Sequence, residues 1–304
     1  MVTSSRGRDW LYDPTGEPRG YVDPGNLREL WFHTGTVCNL RCSFCLEGSK
    51  PGDNRLNALT RADVEPYLDE AVARGVDQFS FTGGEPFVID DMIEILDAAL
   101  EHRPCLVLTN ATEPLLNRLA RVNALRHKPH PLRFRVSLDY PDPERHDQER
   151  GPGNFRLSLE VMGALHREGF QVSIARQGAA DEEGAAVDAA FRPWLEEAGL
   201  PGDTLIVSFP EFYEPGANPA VPHITEDCMT RYKTADERAA FMCAFSKMVV
   251  KRNGSTRVYA CTLVDDDPDY DMGATLAEAM EERVMLKHHR CYSCFANGAS
   301  CSEL

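Results

Sequence analysis

The stretch LWFHTGTVCNLRCSFC at residues 30–45, followed by QFSFTGGEP at 78–86, decides the fold. Each begins with a short apolar run rich in strand-favouring residues and ends in a turn of small and polar ones. The unit recurs. Apolar runs at 30–34, 78–81, 105–108, 132–138, 171–175 and 204–209 alternate with helical patterns at 61–73, 90–102, 114–124, 154–168 and 185–198. Thr60 is placed to cap the first helix, and Gly75 and Gly169 stand where helices stop. Such alternation predicts a parallel sheet with helical crossovers. Six units are fewer than the eight that close a barrel, so the expected α/β fold is a curved, open, partial (β/α)6 barrel. Ligands of such sheets collect at the C-terminal strand ends.

At 304 residues the chain can bury one large α/β core and a small appendage. The expected division is an N-terminal extension at 1–29, the partial barrel at 30–209, a linker and helix at 210–242, and an auxiliary metal-bearing domain at 243–304. Residues 210–225 (PEFYEPGANPAVPHIT) carry the Pro and Gly of a linker. Farther on, KMVVKR, Asn253-Gly254 and STRVYACT read as a hairpin about a type I′ turn. The remainder is too short to bury a core and is expected to need a metal staple. A net charge of −16 argues against a nucleic-acid partner. No apolar run approaches the roughly 20 residues that span a bilayer, and the N-terminus lacks a signal-peptide core. A cytoplasmic location without a membrane partner is therefore expected.

Ten cysteines in such a chain point to metal or redox chemistry rather than disulfides. Three of them fall at 38, 42 and 45, a C-x3-C-x2-C loop after the first strand. Thiolates select soft metals, zinc and iron–sulfur clusters above all. Structural zinc takes four ligands, and nearby only His33 could add one. A 4Fe–4S cluster ordinarily has four cysteines as well, so three would leave one iron open to a non-protein ligand. A zinc loop with a distant fourth ligand is the alternative.

C-x3-C-x-aromatic-C in this position, with Phe44 as the aromatic residue, resembles the radical S-adenosylmethionine (SAM) superfamily. The resemblance implies a 4Fe–4S cluster on Cys38, Cys42 and Cys45, with SAM chelating the open iron. It also implies cleavage of SAM by one electron to methionine and a 5′-deoxyadenosyl radical. Phe81-Thr82-Gly83-Gly84-Glu85-Pro86 is similar to the GGEP motif that contacts the SAM amino group; two glycines admit close backbone approach, and a carboxylate can receive an ammonium. Thr109-Asn110 is similar to a segment lying beside the cofactor. Ser137, Asp139 and the run from His146 to Gly151 resemble members in which Ser and Arg contact SAM. Arg150 could pair a carboxylate through two N–H groups. His146 and Asp147 are expected to order the loop, Ile174 to pack the adenine, and Arg176 and Gln177 to emerge at the rim. The resemblance covers roughly residues 30–209.

Cys243 and Cys261 flank the hairpin, and Cys291 and Cys294 form a C-x2-C; a zinc ribbon would be built similarly. Beside the N-terminal motifs, the arrangement resembles the twitch or SPASM extensions of radical SAM enzymes. That implies one auxiliary 4Fe–4S cluster, with Cys301 as a possible further ligand. His288 and His289 are expected to support rather than ligate. The acidic run at 265–269 lacks the spacing of an EF-hand and reads as a solvated turn.

The function so implied is a radical SAM oxidoreductase abstracting a substrate hydrogen, with the auxiliary cluster assisting. The expected substrate is a small biosynthetic metabolite, because 29 residues before the barrel are too few for a leader-peptide domain. A ribosomal peptide or protein side chain is the alternative substrate. An iron–sulfur electron carrier or a zinc-stapled binding protein is the non-catalytic alternative. A reductase with flavodoxin, or a ferredoxin, would supply electrons. Cys228 is a candidate hydrogen-atom donor, and Glu211, Tyr213 and His223, after the sixth strand, are candidates for acid–base work.

Overall fold

The computed structural model describes residues 6–178, 184–209, 212–213 and 216–298. All six expected strands form in one sheet: β1 (Glu29–His33), β2 (Gln78–Thr82), β3 (Cys105–Thr109), β4 (Leu132–Ser137), β5 (Gln171–Gln177) and β6 (Ile206–Phe209). They pair in parallel, each with its sequence neighbour. Helices α1 (Arg61–Ala73) and α2 (Met92–Ala99) make the first two crossovers. Thr60 and Asp63 close a capping box on α1, and Gly75 and Gly169 adopt the positive φ of helix stops. The fold is an α/β structure whose mostly parallel sheet is left open rather than closed into a barrel, as expected.

The differences from expectation are local. The helix expected at 114–124 is two short ones, Glu113–Leu116 and Leu119–Ala124, broken where Arg118 leaves helical geometry. The run PERHDQER, expected as an ordered loop, is helix α3 (Pro143–Arg150). Asp142 caps it by accepting from Arg145 N at 2.9 Å, and Pro143 supplies a preset first turn. It carries no apolar stripe, so periodicity could not reveal it. Helices α4 (Asn154–Arg167) and α5 (Gly184–Glu197) complete the crossovers.

The C-terminal hairpin continues this sheet. Strand β7 (Ser246–Arg252) lies parallel to β1, with Lys247 opposite Leu30, and β8 (Ser255–Tyr259) pairs antiparallel to β7. Asn253 and Gly254 both take positive φ, as the type I′ turn requires. The sheet thus has eight strands in the order β6-β5-β4-β3-β2-β1-β7-β8. All five β1 residues are buried, and Phe32 stacks on Phe81 of β2 at 5.4 Å. The N-terminal extension closes over the C-terminal part: Tyr21–Val22 pairs with Val284–Met285, and Trp10 meets Tyr270 edge-on at 5.2 Å. No helix among the described residues is long and apolar enough to cross a membrane.

Candidate functional site

Where β1 and β2 end, their turns lock together. Thr34 N donates to Thr82 O at 2.8 Å, Gly84 N to Gly35 O at 2.9 Å, and Glu85 N to Val37 O at 3.1 Å. A Cβ on Gly84 would stand 2.2 Å from the Val37 carbonyl oxygen, and Gly83 holds φ of +140°. What the two glycines admit, then, is the backbone leading into Cys38. Gly84→Ala is expected to destabilise the chain by about 2–3 kcal/mol through that overlap. A denaturant midpoint unchanged from the native chain would contradict this.

The three cysteines line a cavity of about 200 Å³ at the C-terminal strand ends. Also on its wall are Phe44, Gly83, Gly84, Thr109, Asn110, Ser137, Asp139 and Arg150, with Arg176 and Gln177. Three expected contacts do not line it. Ile174 is wholly buried in β5 beside the lining Ala175, and Pro86 and Glu85 are buried behind the turn. The Glu85 carboxylate accepts from Thr109 Oγ1 at 2.8 Å, Asn110 N at 2.7 Å and Phe87 N at 3.1 Å, while burial lifts its pKa to about 7. It ties β2 to β3 and orients Asn110. Leu40, Leu108, Phe209, Phe212 and Leu263 supply apolar wall that motif reading did not find.

Arg150 Nε donates to Asp139 Oδ2 at 2.5 Å, and its guanidinium lies 5.4 Å from the Phe44 ring centre. Burial opposes that charge, yet Asp139 and Cys42 outweigh it and hold Arg150 more firmly protonated than usual. Burial pushes the Cys38 thiol up to about 12 and raises Cys42 and Cys45 as well. Asp147 caps α4 by accepting from Gly153 N at 2.6 Å and Phe155 N at 2.8 Å. The ordering role expected of His146 and Asp147 thus falls to Asp147, while the His146 ring packs edge-on against Phe155 at 5.5 Å. Its two nitrogens find no hydrogen-bond partner among the described residues, and burial lowers its pKa to about 4. Because the unfolded chain takes up that proton near pH 6.5 and the fold resists it, stability should fall as pH drops from about 6.5 to about 4. The loss is on the order of 3 kcal/mol. Chemical denaturation across that range should show it, and His146→Phe should remove most of the difference.

The sequence model of the radical SAM superfamily matches residues 32–176. The chain carries a radical SAM domain. Over 144 residues it is 31% identical to the GTP 3',8-cyclase of Synechococcus elongatus, covering 46% of this chain and 42% of that protein. It is 29% identical to the mycofactocin maturase MftC of Mycolicibacterium smegmatis, covering 44% and 33% respectively. The matched region thus spans less than half the length of these relatives. Among solved structures it resembles Streptococcus suis SuiB bound to S-adenosylmethionine, with a TM-score of 0.57, 16% identity, and coverage of 78% of this chain and 61% of that one. It also resembles a tagged anSMEcpe with bound AdoMet, with a TM-score of 0.59, 14% identity, and coverage of 86% and 82%. At these identities the likeness is one of fold.

The donor set of the radical SAM domain fits a three-cysteine cluster with SAM. Among the described residues lining the cavity there is no fourth cysteine and no histidine. His33, the nearby alternative ligand, is engaged instead with Glu47, Nε2 to Oε2 at 2.9 Å, and accepts from Gly35 N at 3.2 Å. Asp265 lies 3.9 Å from the same ring nitrogen and pairs Arg55 at 2.8 Å. The 265–269 run is therefore not simply a solvated turn: Asp265 is buried, and its half-buried neighbours are paired. Asp266 accepts from Gly216 N, and Asp267 pairs Lys287 at 3.2 Å.

Cys243, Cys261, Cys291 and Cys294 line a second, smaller cavity of about 20 Å³. The last two sit one turn apart on helix α6 (His289–Asn297), where they share a face. Tyr270 Oη meets Cys291 Sγ at 3.3 Å. Leu263 borders both cavities. Arg290 joins them: its terminal nitrogens donate to Leu263 O at 2.5 Å, Tyr213 O at 2.7 Å and Leu46 O at 2.9 Å. His288 caps α6 and reaches Asp266 at 3.4 Å, and the His289 ring lies 5.9 Å from Tyr213. Of the catalytic candidates, Tyr213 follows the lining Phe212 but is itself exposed, as is His223. Cys228 sits in the helix Glu226–Tyr232, accepts from Thr225 Oγ1 at 3.2 Å, and does not line the cavity. Glu211 and Cys301 lie outside the described residues.

Proposed function

We propose that the chain is a radical SAM enzyme that oxidises or rearranges a small biosynthetic metabolite, with one auxiliary 4Fe–4S cluster on Cys243, Cys261, Cys291 and Cys294. The carrying observation is the meeting of Cys38, Cys42 and Cys45 with Asn110, Ser137 and the Asp139–Arg150 pair on one cavity wall. When bound there, cluster and SAM would supply a 5′-deoxyadenosyl radical able to take a hydrogen atom from substrate. The remaining work belongs to the chain's own groups. Arg150, with Nε fixed by Asp139, keeps its terminal N–H groups for a carboxylate such as that of SAM. Asn110 donates to Asn39 at 3.0 Å, which holds the cysteine loop against β3. Leu40, Leu108, Ala175, Phe209 and Phe212 give the cavity apolar walls that exclude water from a reactive species. Arg176 and Gln177 offer polar contacts to substrate at the same rim. A flavodoxin or ferredoxin with its reductase would supply the electron.

Maturation of a ribosomal peptide is the second reading. It is favoured by the similarity to a mycofactocin maturase and by the shared fold with SuiB, which was solved bound to the precursor peptide SuiA. Anaerobic reconstitution followed by mass spectrometry with candidate metabolites and peptides distinguishes the two by which mixture yields a modified product. Iron and sulfide content separates both from a zinc-stapled protein. An iron-loaded chain that binds no SAM would be a carrier, and the proposal would fail.

A further inference from the structure

Lys247 is wholly buried in β7. Its ammonium donates to Cys243 O at 2.7 Å and Ser246 O at 3.1 Å, and no carboxylate lies within ion-pairing distance among the described residues. Two carbonyl dipoles satisfy hydrogen bonds but leave a full charge in a region of low polarity, an arrangement that ordinarily calls for an opposite charge. The ionisable groups that bear on it are the Cys243 and Cys261 thiols. As neutral thiols they cannot balance an ammonium; as metal-bound thiolates they can. The neighbouring cavity wall holds Cys291 and Cys294 too, and is apolar apart from Tyr270 and Arg290, whose guanidinium is taken up by three backbone carbonyls.

We infer that Lys247 is the built-in counter-cation of a thiolate-bound redox centre at Cys243, Cys261, Cys291 and Cys294, and that its charge sets the potential of that centre. This rests on the reading that these cysteines hold an iron–sulfur cluster. A 4Fe–4S centre with four thiolates is anionic and becomes more so on reduction, so a fixed cation beside it favours the reduced form. Such a centre is a better electron acceptor, which suits a reaction whose net outcome is substrate oxidation.

The test uses the full chain carrying Cys38→Ala, Cys42→Ala and Cys45→Ala, so that only the C-terminal centre contributes a signal. Reconstituted anaerobically, it is titrated potentiometrically with Lys247 present, as Lys247→Met, and as Lys247→Arg. The Met variant should retain its iron while its reduced-to-oxidised ratio at fixed potential falls about tenfold, equivalent to 59 mV for one electron. The Arg variant should stay near the parent. An iron-loaded Met variant with an unchanged ratio overturns the inference. Should the Met variant fail to load iron while Arg loads it, the positive charge is needed for assembly and the counter-cation role stands. Failure of both, beside a parent that loads, shows that shape rather than charge is required and overturns it. A parent without iron, or holding zinc, refutes the cluster reading itself.

Discussion

Cys42→Ala is expected to remove about four iron atoms per chain and to abolish formation of 5′-deoxyadenosine from SAM. Cys42 shares one cavity wall with Cys38 and Cys45, and none of the described lining residues could replace it as a soft ligand. Burial raises all three thiols, so cluster assembly must displace three reluctant protons, and only metal binding at all three sites can drive that. Two thiols would leave the cluster labile. Cys105→Ala is the control, since Cys105 is fully buried where Cys42 is half-buried, yet lies inside β3, away from the cavity. It should keep its iron while losing some stability. Iron assay and mass spectrometry of the SAM products read both. Cleavage persisting in Cys42→Ala would refute the radical SAM assignment of this loop.

Arg290→Met should loosen both cysteine sites at once. The Arg290 guanidinium is buried and feeds three carbonyls: Leu46, next to Cys45; Leu263, two residues after Cys261; and Tyr213. Methionine fills much of the volume but leaves those oxygens without donors. The expected cost is roughly 3–5 kcal/mol. Iron should fall at the N-terminal and C-terminal sites together, unlike Cys291→Ala, which should spare the former. Lysine at 290 should recover part of the loss, because an ammonium has the charge but not the planar spread of the guanidinium. Thermal unfolding with iron content per chain provides the readout. Loss confined to one site would show that Arg290 does not couple them.

Much of this molecule was legible in its sequence because the signals were local. A strand followed by a turn and a helix writes its own periodicity, and Cys38, Cys42 and Cys45 lie within one loop. The Asp139–Arg150 pair was also within reach, since both residues close the same short segment. Other features depend on where distant segments meet. Leu263, Arg290 and Lys247 enter the sites only because the hairpin joins β1 across two hundred residues of chain, which no window of sequence reports. Glu85 had the right type for ammonium recognition, but its burial against β3 turned it to holding the strand ends. The acidic run at 265–269 looked solvated until His33, Arg55 and Lys287 supplied its partners.

The parallel pairing of β7 with β1 also bears on how the chain reaches its fold. Because β1 emerges first from the ribosome and β7 only after some two hundred more residues, one flank of the central strand must wait bare for most of synthesis. That flank is a run of exposed backbone donors and acceptors bearing Leu30, Trp31 and Phe32, the kind of edge that recruits other chains. Slow, long-range closure of this seam makes the nascent protein depend on protection from aggregation until β7 has been made.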